Sequence, residues 1–299
     1  MPPPRLLASA LPRSVQLLSR RTYASSARVP LAFDLYEAPS GASDPKNGSI
    51  IFMHGLFGSR KNNRAISKIL SRDLNRTIYA IDLRNHGDSP HDPRHDYSAM
   101  ADDVAGFIEE HKLKDTTLIG HSMGAKTAMT LALKSPEMVR DFVSVDNAPI
   151  DAQIGRKFGQ YVQAMKKIED ADTTKQSEAD KILQDYEESL PVRQFLLTNL
   201  YRPTGEKIQK FRIPVKTLGA ALDHMGDFPF KDPGQVRFEK PALFVRGTKS
   251  QYIPDEALPI IGKFFPRFEL ADIDAGHWVI SEQPEAFRNA VVEFLKPKE

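Results

Sequence analysis

Gly120-His121-Ser122-Met123-Gly124 is a spacing with chemical consequences. A serine hydroxyl is a weak nucleophile until a neighbouring base takes its proton. The flanking glycines are what a sharp strand-to-helix turn needs, because bulk at either position would collide with the turn. Thr116–Ile119 before it is apolar and β-branched, and Gly124–Leu133 after it is rich in Ala and Leu, so the required strand–turn–helix context is expected. Such a turn lifts the Ser122 hydroxyl above the sheet. It also sets the Met123 N–H at a helix N-terminus, where an unpaired donor and the helix dipole stabilise a developing oxyanion. A second donor is expected from His54-Gly55-Leu56-Phe57-Gly58, a glycine-rich turn leaving the strand-like Ser49–Met53. We assign that donor to the Leu56 amide, with Phe57 as the alternative, and read His54 as orienting the loop through a hydrogen bond.

Eight histidines compete for the role of base. His121 adjoins the serine, but its side chain should point away at a tight elbow. His86, His91 and His95 precede the serine, the wrong order for this arrangement. His111 falls near a helix end and His224 within a long helical insertion. His277, in Asp274-Ala275-Gly276-His277-Trp278, follows the last strand-like run and comes after Ser122. An imidazole of ordinary pKa, about 6.5, can accept the serine proton near neutral pH. Together these groups would carry nucleophilic acyl transfer through an acyl-enzyme. Met123, Phe57 and Trp278 are expected to make the entrance beside them apolar.

The elements that must position these groups are legible as an alternation. Strand-like runs occur at Ser49–Met53, Thr77–Ile81, Thr116–Ile119, Phe142–Val145, Ala242–Val245 and Phe268–Ile273, with Leu31–Tyr36 as an added edge strand. Most are too continuously apolar for half-exposed strands, which points to a parallel sheet buried on both faces. Helical patterns lie between them at Asn62–Leu74, Met100–His111, Gly124–Leu133 and Gln283–Leu295. The expectation is an α/β doubly wound sheet. Residues 29–149 and 237–299 form its core. Residues 150–236 contain no convincing strand and read as charged amphipathic helices, among them Phe158–Ile168, Glu178–Ser189 and Val192–Asn199, making a helical cap inserted before the penultimate strand. Asp82, Arg84 and His86 are expected to pin a strand-exit turn with Gly87. Asp102 and Asp103 are expected in the first turn of their helix.

Composition narrows the class further. With 41 basic and 39 acidic residues in 299, the formal charge is +2, which excludes a broadly basic nucleic-acid binder. The absence of cysteine excludes disulfides, thiolate metal sites and cysteine nucleophiles. No apolar run approaches the roughly 18 residues of a membrane-spanning helix. Residues 1–28 hold five arginines, five serines and no acid, the composition of a mitochondrial transit peptide. Arg21-Thr22-Tyr23-Ala24-Ser25 resembles a matrix-protease site, with the cut after Tyr23. That cut would remove four arginines and change the formal charge from +2 to −2.

Ser49–Gly58, Asp82–Ser89, Gly120–Lys126 and Ala275–Trp278 together resemble the α/β-hydrolase superfamily. Gly120–Lys126, Val145-Asp146-Asn147-Ala148-Pro149 and Val192–Leu200 resemble a narrower mitochondrial group within it, which contains the α/β-hydrolase domain-containing protein 11 type and the yeast ethanol acetyltransferases. The likeness runs from about residue 30 to 297, and the Arg193–Leu200 segment is its most selective part. In many members of the superfamily the third triad residue follows the penultimate strand, where this chain has Ser250. The resemblance to the acetyltransferase group implies Asp146 instead, in the order Ser122, Asp146, His277. Asp255 is the fallback, and Asp272 and Asp274 rank below it. The resemblance implies hydrolysis of carboxylic esters or thioesters. It implies, as the alternative, ethyl acetate synthesis from acetyl-CoA and ethanol, or a binding role with matrix dehydrogenase complexes. No metal or organic cofactor is implied.

Overall fold

A computed structural model describes residues 28–38, 48–152 and 156–296. The proposed import signal and its cut after Tyr23 lie outside these residues, apart from Arg28. Seven strands form the main sheet: β1 (Phe33–Tyr36), β2 (Ile50–Met53), β3 (Ile78–Ile81), β4 (Thr116–His121), β5 (Val139–Val145), β8 (Ala242–Gly247) and β9 (Phe268–Ile273). Their spatial order is β1-β3-β2-β4-β5-β8-β9, with only β1 antiparallel to its neighbour. This is the expected mostly parallel sheet, and β1 is its added edge strand.

Alternation along each strand divides the core. In β2, Ile50 and Phe52 face α1 (Arg64–Leu74) and α11 (Pro284–Leu295), joining Ile66, Leu70, Phe287 and Val291. Ile51 and Met53 face the opposite layer, with α2 (Tyr97–Glu110) and α3 (Met123–Lys134) contributing Val104, Phe107, Ala128 and Met129. Every residue of β2 and β4 is buried, which is why these runs carry no polar alternation. Burying one such aromatic or branched side chain is worth about 1.5–3 kcal/mol.

Strand order reverses between β2 and β4, since β3 lies to one side of the pair and β5 to the other. Loops leaving the carboxyl ends of strands at such a switch point diverge and open a crevice. The turns that follow β2 and β4 begin with His54 and Ser122, so the topology places both at that crevice.

Between β5 and β8 the chain forms α4 (Arg156–Asp170), α5 (Gln176–Gln184), α6 (Leu190–Leu197), α7 (Val215–Ala220) and α8 (Leu222–Gly226). The insertion also contains strands, which the sequence reading did not anticipate. β6 (Leu200–Tyr201) and β7 (Lys210–Phe211) pair antiparallel. Two residues each are too few for any periodicity to register. Lys126, on α3, anchors this cap. Its buried ammonium donates to the carbonyls of Ile150, Gly226 and Asp227 at 2.9, 3.0 and 2.9 Å. Burial lowers its pKa to about 8.

After β8 come α9 (Leu258–Phe264) and, beyond β9, α10 (Val279–Glu282). A second correction concerns α2, which begins at Tyr97, capped by the Asp96 carboxylate accepting the Ala99 N–H at 2.8 Å. Asp102 and Asp103 therefore sit beyond the first turn. Asp103 is wholly buried and takes both Arg84 Nε and Nη2, at 2.6 and 2.8 Å. Charge pairing, not the helix dipole, accounts for it. Asp82 behaves as expected of a turn pin: it accepts the backbone N–H groups of Arg60 and Asp88 at 2.7 and 2.8 Å.

Candidate active site

Ser122 adopts φ +52° and ψ −110°, a backbone region that costs an L-residue energy and persists only where the surroundings enforce it. The glycines are part of that enforcement. A Cβ at Gly120 would lie 2.2 Å from the Gly124 carbonyl oxygen, and one at Gly124 would lie 2.7 Å from that of Met53. The Ser122 N–H donates to Val145 O at 2.9 Å, while its carbonyl accepts the Ala125 N–H at 3.0 Å and the Asn147 Nδ2 at 3.1 Å. The end of β5 and the residues just beyond it thus hold the elbow from both sides.

The Ser122 hydroxyl lies 3.0 Å from His277 Nε2, and His277 Nδ1 lies 2.7 Å from Asp146 Oδ2. A carboxylate only accepts, so the ring proton belongs on Nδ1 and Nε2 offers its lone pair to the serine. Asp146 is fully buried at the end of β5. It also accepts the Gly247 N–H on Oδ1 at 3.1 Å and the Ser250 hydroxyl on Oδ2 at 2.5 Å. Ser250 thus serves as a donor to the aspartate that follows β5. The other carboxylates are engaged elsewhere: Asp255 and Asp272 on Arg246, at 2.5 and 2.6 Å, and Asp274 on Lys249 at 2.9 Å.

Around the expected oxyanion donors lie backbone groups and three histidines. Met123 N–H is the first of α3, where no intrahelical acceptor exists. Phe57 N–H donates to His86 Nε2 at 3.1 Å, so of the two expected donors it is the one engaged elsewhere. His54 donates from Nδ1 to Gly55 O at 2.8 Å and accepts the Leu83 N–H on Nε2 at 3.0 Å. His121 Nε2 donates to the His277 carbonyl at 2.8 Å and so holds the loop that carries His277. Burial lowers the pKa of His54 to about 4, of His86 to about 3 and of His121 to about 4. All three are therefore neutral near pH 7, each able to donate from one nitrogen and accept on the other.

Tyr252 stacks on His277, centroids 4.0 Å apart and planes 24° from parallel. Trp278 meets Phe195 of α6 at 4.8 Å and lines a largely apolar cavity of about 660 Å³ whose walls include Gly55, His121, Ile66 and Phe195. Phe57 and Met123, expected at the entrance, are buried instead, Phe57 completely and against Phe158 of α4 at 6.0 Å. Nothing in the local sequence pattern marks the side chains of Asn147, Tyr252 and Ser250 as neighbours of the elbow, of His277 and of Asp146. Asn147 adjoins Asp146 in sequence, but only the tertiary contact reveals the role of each side chain. Among the described residues, no group of three or more His, Asp or Glu side chains could hold a metal ion.

A family model described as alpha/beta hydrolase fold matches residues 48–284. The chain is 40% identical over 270 residues to a probable alcohol acetyltransferase of Saccharomyces cerevisiae, covering 84% of this chain and 78% of that one. It is 36% identical over 272 residues to the mouse protein named sn-1-specific diacylglycerol lipase ABHD11, covering 89% and 85%. Among solved structures, a marine microorganism esterase superimposes with a TM-score of 0.81 at 30% identity, covering 89% of this chain and 99% of that one.

Proposed function

The chain belongs to the α/β-hydrolase family, and from that premise we propose that it cleaves carboxylic esters or thioesters through an acyl-enzyme on Ser122. The observation that carries the proposal is the continuous hydrogen-bond chain from Ser122 through His277 to Asp146. His277 Nε2 takes the hydroxyl proton as Ser122 Oγ forms a bond to the acyl carbon. The carbonyl π pair becomes an oxyanion facing Leu56 and Met123 N–H. Collapse breaks the bond to the leaving alcohol or thiol, which receives the proton from His277. Water then repeats the sequence and releases the acid. Asp146 keeps the ring proton on Nδ1 and stabilises the imidazolium. The esterase and lipase names of similar proteins support this reading. The test is turnover of p-nitrophenyl esters together with labelling by a fluorophosphonate, both abolished in Ser122→Ala. A wild-type protein that neither labels nor turns over esters contradicts the proposal.

The similar yeast protein is named a probable alcohol acetyltransferase, which favours a second outcome of the same acyl-enzyme; the family resemblance makes the acceptor ethanol and the acyl donor acetyl-CoA. Product analysis with rising ethanol separates them, since acetate without ethyl acetate at high ethanol rejects transfer. We assign residues 150–236 as the cap that selects among acceptors. The arginine-rich N-terminus supports a mitochondrial matrix location, checked by sequencing the N-terminus of the native protein. Association with matrix dehydrogenase complexes rests on the family resemblance and is checked by co-purification.

A further inference from the structure

Asn199 lies just beyond α6, in the segment that most narrowly marks the family resemblance, and nothing in the acyl-transfer scheme uses it. Its buried side chain donates from Nδ2 to Phe57 O at 2.8 Å and to Leu196 O at 3.3 Å. The Phe57 contact joins the cap to the loop after β2 across 142 positions. That loop is a β-turn closed by Gly58 N–H donating to Gly55 O at 2.9 Å. Its third residue, Phe57, has φ +62°, while Leu56 is not in the left-handed region. This is the type II pattern, whose third position normally favours glycine. A phenylalanine there needs outside restraint, and both of its peptide groups are held: the N–H by His86 Nε2 and the carbonyl by Asn199.

The Phe57–Gly58 peptide is therefore a rigid link. Asn199 holds its carbonyl end, and its N–H end donates to Gly55 O, which also accepts His54 Nδ1 at 2.8 Å. A trans peptide is planar with its C=O and N–H opposed. Fixing Gly55 O thus aims the Leu56 N–H of the same plane the other way. We propose that Asn199 is a positioning residue through which the seated cap sets the direction of the Leu56 N–H, so that the oxyanion site is complete only when the cap is docked. This rests on the acyl-transfer function proposed above and on Leu56 as a donor. Phe57 is fully buried, so bulk solvent cannot substitute for the lost amide. One turn earlier on the cap, Phe195 packs on Trp278 beside the base, so the same helix registers both halves of the site.

The test compares Asn199→Ala with Asn199→Asp, which keeps the shape but turns an acceptor toward Phe57 O. Displacing one donor should cost part of the ~100–1000-fold that removing it costs, about 10- to 100-fold in kcat on p-nitrophenyl acetate, with KM changed less than about threefold. Affinity for a trifluoromethyl ketone, whose hemiketal oxyanion occupies the same place, should fall in step with kcat/KM. Arg193→Met serves as the structural control, because Arg193 ties the α5–α6 turn through Asp180 and the carbonyls of Glu187 and Glu188 without touching the loop. It should lower the thermal midpoint and leave kcat and ketone affinity unchanged. Wild-type kcat and ketone affinity in the Asn199 variants overturns the proposal, as does the same kcat loss in Arg193→Met. If the alanine variant does not fold, the isosteric aspartate carries the test. Absence of Ser122-dependent turnover in the wild type contradicts the function itself, whereas turnover with unaffected Asn199 variants contradicts only the coupling.

Discussion

Replacing Asp146 with asparagine exchanges one oxygen for a nitrogen, and the hydrogen bonds decide where the nitrogen goes. Oδ1 faces the Gly247 N–H at 3.1 Å; Oδ2 faces His277 Nδ1 at 2.7 Å and the Ser250 hydroxyl at 2.5 Å. An amide has one carbonyl oxygen to offer. The Gly247 N–H can only donate, while the Ser250 hydroxyl can turn and accept, so the oxygen stays toward Gly247. The NH2 group then faces His277 Nδ1 and demands a lone pair there. The ring proton moves to Nε2, the atom that must accept the proton of Ser122. The backbone does not confound the test, because residue 146 sits at φ +52°, a region that asparagine tolerates as well as aspartate. Fixing the wrong tautomer should lower kcat by about 10⁴-fold, or ~5.5 kcal/mol of barrier. KM and the melting temperature should change little. The assay is p-nitrophenyl ester hydrolysis near neutral pH, with Asp255→Asn in parallel. The Asp255 side chain is 82% exposed and rests on Arg246, so its loss should change kcat less than about twofold, as for an exposed ion pair remote from the reacting atoms. Retention of more than about a tenth of kcat in Asp146→Asn, against the ~10⁴ expected, or an equal loss in Asp255→Asn, would refute this reasoning.

Three further outcomes are expected. Burial lowers the pKa of His54, His86 and His121 to about 4, 3 and 4, below the unfolded value of about 6.5. As pH falls, the unfolded chain takes up these protons first. Their contribution to stability is therefore complete above about pH 6.5 and lost toward pH 4, on the order of 3 kcal/mol per histidine; a thermal midpoint that stays level across that window contradicts the assignment. Asp103→Ala removes the wholly buried partner of Arg84 and should cost about 3–5 kcal/mol in urea unfolding, with a loss under about 1 kcal/mol, typical of an exposed pair, counting against it. Gly120→Ala places a Cβ 2.2 Å from a backbone oxygen and should yield either no folded protein or one that a fluorophosphonate no longer labels; normal labelling would show that the elbow is less constrained than its geometry implies.

The parts legible in the sequence share a local signature. Buried strands such as Ile50–Met53 announce themselves by unbroken apolar runs, and the elbow by glycines whose absent side chains leave room for its own backbone. Asp146 was reachable by chain order and family likeness, because it closes β5. What escaped has no local signature. Ser250 reads as a missing acid, and only the fold shows it donating to the acid 104 positions away. Asn199 reads as the end of a helix, and its partner lies in a distant loop. Phe57 is expected in the entrance, but an insertion that packs Phe158 against it buries it instead. Asp103 was credited to a helix start because the beginning of α2 was read three residues late; Asp96, which caps it, stands before an aromatic with no apolar periodicity behind it.

The Lys126 ammonium bonds carbonyls from both the outgoing and the returning limb of the cap, so those two limbs must pass side by side. An insertion whose ends nearly touch imposes no spacing on the strands that flank it. Its interior can lengthen, shorten or be replaced while β5 and β8 stay paired in the same register. One side chain on the helix after Ser122 thereby ties the two limbs of the insertion together, so the placement of the strands that lead into Ser122 and Asp146 does not depend on the length of chain between those limbs.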